Sequence, residues 1–163
     1  MARVYVSVGS NIDKESNIRG GVRALRQRYG ALILSSVYQS RAVGFAGDDF
    51  YNMVLGFDTQ ETIAQVAGCL RETEERYGRV RGGARFSSRT LDLDLLLYDD
   101  VVQEGDDIEL PRDEITKHAH VLLPLAEIAP QRTHPRLGKT FSELWQAFDQ
   151  PEQELWPIEF DWS

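Results

Sequence analysis

Residues 91–98 read Leu91-Asp92-Leu93-Asp94-Leu95-Leu96-Leu97-Tyr98, an apolar run with carboxylates two residues apart near its start. In a strand, successive side chains point to opposite faces, so residues i and i+2 share a face and lie ~6.5–7 Å apart. A strand here sends Asp92 and Asp94 to one side and Leu91, Leu93, Leu95 and Leu97 into a core on the other. Directly before it stands Arg76-Tyr-Gly-Arg79-Val-Arg81-Gly-Gly-Ala-Arg85-Phe86-Ser-Ser-Arg89, five arginines in fourteen residues of a chain whose formal net charge is −8. A basic loop feeding an acidic strand face is the pattern that a site for a polyphosphate and its metal ions requires.

Outward from this strand the pattern alternates between periods of two and 3.6. Val4 to Val8 reads as a strand stopped by Gly9-Ser10-Asn11. Ile18, Val22 and Leu25 recur at helical spacing up to Tyr29, with Gly30 at the C-cap, although Gly20-Gly21 costs that helix ~1 kcal/mol per glycine. Leu32 to Tyr38 and Phe50 to Phe57 predict a hairpin across a long loop; in the second run Tyr51, Met53, Leu55 and Phe57 share one face, Asn52 and Val54 the other. Asp58 with Glu61 predicts a capping box for a helix whose stripe is Ile63, Val66, Ala67, Leu70 and Tyr77. Glu74 falls in that stripe, as a salt bridge at the helix end or as a functional contact.

After Tyr98 a short strand is expected at 108–110, then a helix over 116–129 that kinks or breaks at Pro124. Thr140 and Glu143 form a capping box for a last helix with the face Phe141, Leu144, Trp145 and Phe148. The tail from Leu155 to Trp162 holds two of the three tryptophans and is expected to dock on the body, or else to expose a partner site. The order β-α-β-β-α-β predicts an α+β, ferredoxin-like fold with helices covering a mainly antiparallel sheet. One domain is expected over residues 1–163, with a core at about 3–135 and the C-terminal helix and tail at 136–163.

Composition narrows the partners. With 42% hydrophobic and 27% charged residues the chain has the profile of an ordinary soluble globule. Its negative charge argues against nucleic acid or an anionic membrane surface. Lys14, Lys117 and Lys139 are the only lysines, and a basic set made almost wholly of arginine favours recognition of anions at specific points. The single cysteine, Cys69, and the absence of a signal peptide or a long apolar stretch lead to a cytoplasmic expectation. Neither a P-loop nor a Rossmann glycine motif is present.

Two neighbouring carboxylates need cations. Asp92 and Asp94 either face arginines in a structural ion network or hold divalent metals, and magnesium is bound by one or two carboxylates plus waters and substrate phosphates. Gly78, Gly82 and Gly83 give the arginine loop freedom to close over a charged ligand; the bland alternative is a solvated basic loop.

The motif Arg79-Val-Arg81…Arg85-Phe86-Ser-Ser-Arg89-Thr-Leu-Asp92-Leu-Asp94-Leu-Leu resembles the signature of the hydroxymethyldihydropterin pyrophosphokinases of folate biosynthesis. Val8-Gly-Ser-Asn11, Tyr38-Gln-Ser-Arg-Ala-Val-Gly44, Phe50-Tyr-Asn52, Glu74 and Val121-Leu-Leu-Pro-Leu-Ala-Glu-Ile-Ala-Pro130 agree with it in order, over about residues 3 to 135. The resemblance implies pyrophosphoryl transfer from ATP to the hydroxymethyl of the reduced pterin, releasing AMP, with ATP and pterin as small-molecule partners. It implies that Asp92 and Asp94 hold two magnesium ions and that Arg79, Arg81 and Arg89 neutralise phosphates. Arg85 and Phe86 then belong to a closing loop, Phe86 on the pterin side, while Glu74, Leu95, Arg112 and His118 lie on the nucleotide side. For the pterin it implies stacking on Phe50, a hydrogen bond from Asn52, and pairing with the segment Ser40, Ala42, Val43 and Gly44, with His120 where a second stacking phenylalanine is usual.

The chain departs from the family pattern in places. Phe86-Ser87-Ser88 stands where Trp-Gly-Pro is common, Arg112 where a histidine is common, and His118 where an arginine is common. The changes at Arg112, His118 and His120 keep open a binding module that has lost turnover; a kinase for a different reduced pterin is a further alternative. A His118–His120 metal pair is not expected, because residues two apart diverge on a helix.

Overall fold

In a computed structural model, residues 1–41, 49–77, 91–105 and 108–163 are described. The chain order is β1 (Ala2–Ser10), α1 (Lys14–Tyr29), β2 (Ile33–Leu34), β3 (Val37–Ser40), β4 (Phe50–Thr59), α2 (Ile63–Arg76), β5 (Asp92–Tyr98), α3 (Ala119–Ile128), α4 (Phe141–Ala147) and β6 (Leu155–Ile158). Among the described residues these strands form one antiparallel sheet in the order β5-β1-β4-β3-β6, with β2 also paired to β4. The fold is therefore α+β, and the first six predicted elements occur in the predicted order, with the Leu32–Tyr38 run divided into β2 and β3.

Helices cover both sheet faces. On one, Val4, Val6, Val8, Met53, Leu55, Phe57, Leu91, Leu93 and Leu95 pack with Ile18, Val22 and Leu25 of α1 and Val66, Cys69 and Leu70 of α2. On the other, Tyr5, Val54, Leu96 and Leu97 pack with Val121, Leu122 and Leu125 of α3 and Phe141 of α4. The two glycines that weaken α1 are there for close approach. A Cβ on Gly20 would sit 2.4 Å from Cε1 of Tyr77, and one on Gly21 would sit 2.9 Å from Cδ2 of Leu91.

Four expectations are corrected. Leu97 does not share a face with Leu91, Leu93 and Leu95, because a register shift between Tyr5 and Val6 inserts one residue into β5 and sends Leu96 and Leu97 together into the second core. Asp58 does not cap α2: it lies in β4 and accepts from Arg3 Nε at 2.6 Å. The cap is Thr62, with a capping box to Gln65. Residues 108–110 contribute an isolated bridge from Leu110 to Gln103 rather than a strand. The helix expected over 116–129 breaks before Pro124, not at it: a short 3-10 turn at Asp113–Thr116 ends, His118 is extended, and α3 begins at Ala119. The Gln153 side chain holds that break, donating to the Lys117 carbonyl at 3.0 Å and accepting from the Ala119 amide at 2.8 Å.

The capping box of Thr140 and Glu143 opens α4 as expected. The tail docks: β6 extends the sheet along β3, Phe160 and Trp162 pack against the first core, and Arg19 donates to the Asp161 carbonyl at 2.9 and 2.6 Å.

Candidate active site

The aspartates of β5 point away from the first core, into a cavity of about 500 Å³ on the α3 side of the sheet. Its floor follows from strand register. On β1, Ser7 is paired with Asp94 on one side and Val54 on the other, and Gly9 with Asp92 and Asn52. Directly paired residues project to the same face, so the absence of bulk at Ser7 and Gly9 leaves room between the aspartates and Asn52. A Cβ on Gly9 would lie 2.7 Å from Asn52 Oδ1, so a larger residue there requires the Asn52 side chain to move.

One side of the cavity carries Asp92, Asp94, Arg112 and Glu114; another carries Ser40, Phe50 and Asn52 from the β3–β4 hairpin, with Arg41; His120 and Val121 come from α3. Asn52 Nδ2 lies 3.4 Å from Ser40 Oγ, which ties the hairpin strands together at the cavity edge. Sequence reasoning names most of these residues. It misses Ser7, Gly9, Glu114 and Val121 as lining residues, and it has Arg41 only within the Ser40–Gly44 segment. The signal for Ser7 is present, since β1 alternates large Val4, Val6 and Val8 with small Ser7 and Gly9.

Arg112 is held over β5 by its own amide, which donates to the carbonyl of the bulge residue Leu96 at 3.0 Å. From there its Nη2 lies 3.4 Å from Asp94 Oδ1 and 3.1 Å from Glu114 Oε1. The Arg112 and Asp94 side chains are 36% and 35% exposed, so the contact between them is a screened pair worth ~0–1 kcal/mol. Arg112 Nε is buried and finds no partner among the described residues.

Glu74 is not among the residues lining this cavity. Its Oε2 accepts from the Leu93 amide at 2.9 Å in a buried contact. Because β5 is the edge of the sheet, Glu74 caps an edge amide of the strand, at the residue between the two aspartates. Leu95, expected on the nucleotide side, has its side chain in the first core, so any contact with a ligand falls to its main chain.

His118 is the N-cap of α3 and is not among the residues lining the cavity. Since it precedes the helix, helical divergence does not apply, and its ring stacks on His120 with centroids 5.1 Å apart at 16°. Burial, with a smaller push from His118 and an opposing pull from Glu114, moves His120 down to about 4, so it is neutral at pH 7. Arg79, Arg81, Arg85, Phe86, Arg89, Ala42, Val43 and Gly44 lie outside the described residues. No group of three or more metal-ligating side chains occurs among the described residues, and none of their helices is long and apolar enough to cross a membrane.

Fold and cavity together define an α+β domain with one polar site on its sheet, carboxylates at one side and an aromatic–amide set at another. Residues 5–130 match the family described as 7,8-dihydro-6-hydroxymethylpterin-pyrophosphokinase (HPPK). The chain belongs to that family, and its enzymatic class is that of a pyrophosphokinase, a diphosphotransferase. A 2-amino-4-hydroxy-6-hydroxymethyldihydropteridine pyrophosphokinase from Synechocystis sp. is 33% identical over 94% of this chain and 78% of its own. A protein of the same name from Aquifex aeolicus is 31% identical over 97% of this chain and 96% of its own. Among solved structures, Plasmodium falciparum HPPK-DHPS with pteroate superposes with a TM-score of 0.72 at 11% identity, over 90% of this chain and 42% of that one. This chain thus spans less than half of that solved chain, and the likeness at such identity concerns the fold.

Proposed function

We propose that this protein transfers the pyrophosphoryl group of ATP to the hydroxymethyl group of 6-hydroxymethyl-7,8-dihydropterin, releasing AMP, in folate biosynthesis. The observation that carries the reading is that one cavity is lined both by Asp92 and Asp94 and by Ser40, Phe50, Asn52 and His120. Residues that the family pattern divides between two substrates therefore face a common space. In the reaction the hydroxymethyl oxygen bonds to the β-phosphorus, the bond from that phosphorus to the AMP oxygen breaks, and the hydroxyl proton is lost.

Magnesium fits the donor set: two aspartates on one strand face suit an ion that takes one or two carboxylates and completes its shell with water and phosphate, and the guanidinium on Asp94 shows that this carboxylate already holds a cation. Asp92 and Asp94 would hold the ions, which supply charge neutralisation on the ATP phosphates. The chain's own groups bind and orient. Phe50 and a neutral His120 offer ring faces to the pterin, and Asn52 offers both a donor and an acceptor to its polar edge. Arg112 adds a cation for phosphate oxygens, joined by Arg79, Arg81 and Arg89 from the loop. No strong general base is needed, because positioning and electrostatic stabilisation supply most of the effect in phosphoryl transfer.

The test is AMP formation from ATP, measured with and without magnesium and with and without the hydroxymethyl pterin. AMP should require all components and fall to background in Asp94→Ala, while that variant keeps its urea midpoint. Tight nucleotide binding with no AMP would establish the non-catalytic alternative, and faster turnover of another reduced pterin would redirect the specificity assigned to His120.

A further inference from the structure

The Arg112 contact with Asp94 has a role beyond phosphate recognition. We infer that Arg112 is a displaceable counter-ion: in the ligand-free protein its guanidinium takes the place of a divalent cation at Asp94, so that metal binding and departure of Arg112 are one coupled step. This rests on the reading of Asp92 and Asp94 as metal ligands. Four observations support it. The Nη2–Asp94 distance of 3.4 Å is long for a charge-assisted hydrogen bond, and both side chains remain a third exposed, so the contact is easily exchanged. Glu114, at 3.1 Å from the same nitrogen, is a second anchor that retains the arginine once it leaves Asp94. All three side chains line the same cavity, which gives the guanidinium space to move toward incoming phosphate. The buried Nε has no hydrogen-bond partner among the described residues.

The consequence is an order of events. Without nucleotide, a divalent ion must compete with Arg112 for Asp94. Nucleotide offers the guanidinium a better anion and removes it from competition for Asp94. Nucleotide and metal therefore strengthen one another's binding through this side chain.

Binding of Mn2+ alone, followed by the electron paramagnetic resonance signal of the free ion, tests the inference on the full chain without nucleotide. Arg112→Gln should bind Mn2+ tighter than wild type by on the order of two- to fivefold, the range set by removing a screened pair worth up to ~1 kcal/mol. Arg112→Lys, which keeps the charge, should stay close to wild type, separating the electrostatic effect from a structural one. Asp94→Asn should bind more weakly than wild type. Equal or weaker binding by Arg112→Gln, with Asp94→Asn still impaired, overturns the counter-ion role and leaves the metal assignment standing. Unchanged Mn2+ binding in Asp94→Asn overturns the metal assignment itself.

Discussion

Truncating Glu74 to alanine separates its place in the fold from any contact with ligand. The substitution removes the acceptor 2.9 Å from the Leu93 amide in a buried contact. A buried donor left without a partner costs ~1–3 kcal/mol. Opposing this, the side chain is only 6% exposed, and its removal relieves the cost of keeping a carboxylate out of water. The first effect wins, because the edge amide of β5 cannot turn to another strand, and the net expectation is a loss of ~1–2 kcal/mol. At a urea slope of ~2 kcal/mol per molar this lowers the unfolding midpoint by roughly 0.5–1 M. Glu74→Gln keeps an oxygen for the amide, but a neutral acceptor is roughly half as strong as an ionised one, so about half the loss is expected. Urea titrations without nucleotide or magnesium measure both variants free of ligand effects. An alanine variant as stable as wild type, or a glutamine variant as damaged as alanine, would refute the amide-capping account.

Further outcomes follow from single contacts. Since the folded-state value of His120 lies at about 4, below the ordinary 6.5, the unfolded chain takes up the proton more readily and stability is lost as pH falls from 6.5 through 4. Across that window His120 accounts for a loss of roughly 2–3 kcal/mol. His120→Phe should therefore gain on wild type by that amount between pH 7 and pH 4 in paired urea midpoints; His134, also lowered by burial, is common to both proteins, and parallel pH curves would show that His120 is not held neutral. Gly20→Ala should destabilise by ~1–2 kcal/mol, because the clash with Tyr77 at 2.4 Å outweighs the helix gain of ~1 kcal/mol. Gly68→Ala, where a Cβ meets nothing within 4 Å, should stabilise by ~0.5–1 kcal/mol; equal signs for the two in thermal melts would contradict the packing reason given for Gly20.

Alternation is enough to read most of the sheet. The positions of Val4, Val6, Val8, Met53, Leu55 and Phe57 repeat every two residues, and a one-residue slip would turn each of them to the other face. The same rule, applied to residues 91–95 alone, places Asp92 and Asp94 on the opposite face from Leu91, Leu93 and Leu95. What alternation does not show is where it fails. The extra residue near Leu96 leaves no mark in an unbroken leucine run, so periodicity assigns Leu97 to the wrong core. The start of α2 is ambiguous for a related reason: both Asp58–Glu61 and Thr62–Gln65 fit a capping pattern, and the choice depends on Arg3, which is remote in sequence and holds Asp58 in β4. His118 and His120 are kept apart by a helix rule that does not reach His118, whose extended conformation is set by Gln153 from the far end of the chain.

The bulge explains how one strand serves two cores and a site. In a straight β5, Leu97 would face α1 and α2, and Tyr98 would fall on the same face as Asp92 and Asp94. With one residue inserted, Leu96 and Leu97 both enter the core under α3, while Tyr98 turns back toward the first core and donates its hydroxyl to the Glu61 carbonyl at 2.5 Å. The leucine pair thus fills the core under α3 where a straight strand would place Leu96 and Tyr98. The insertion also determines where the cation sits, because the Leu96 carbonyl receives the Arg112 amide. Shifting that anchor by one residue would turn it toward the other edge of the strand, since alternate carbonyls point in opposite directions in the sheet plane. The distance from Arg112 to Asp94 is therefore a consequence of strand register rather than of side-chain reach alone.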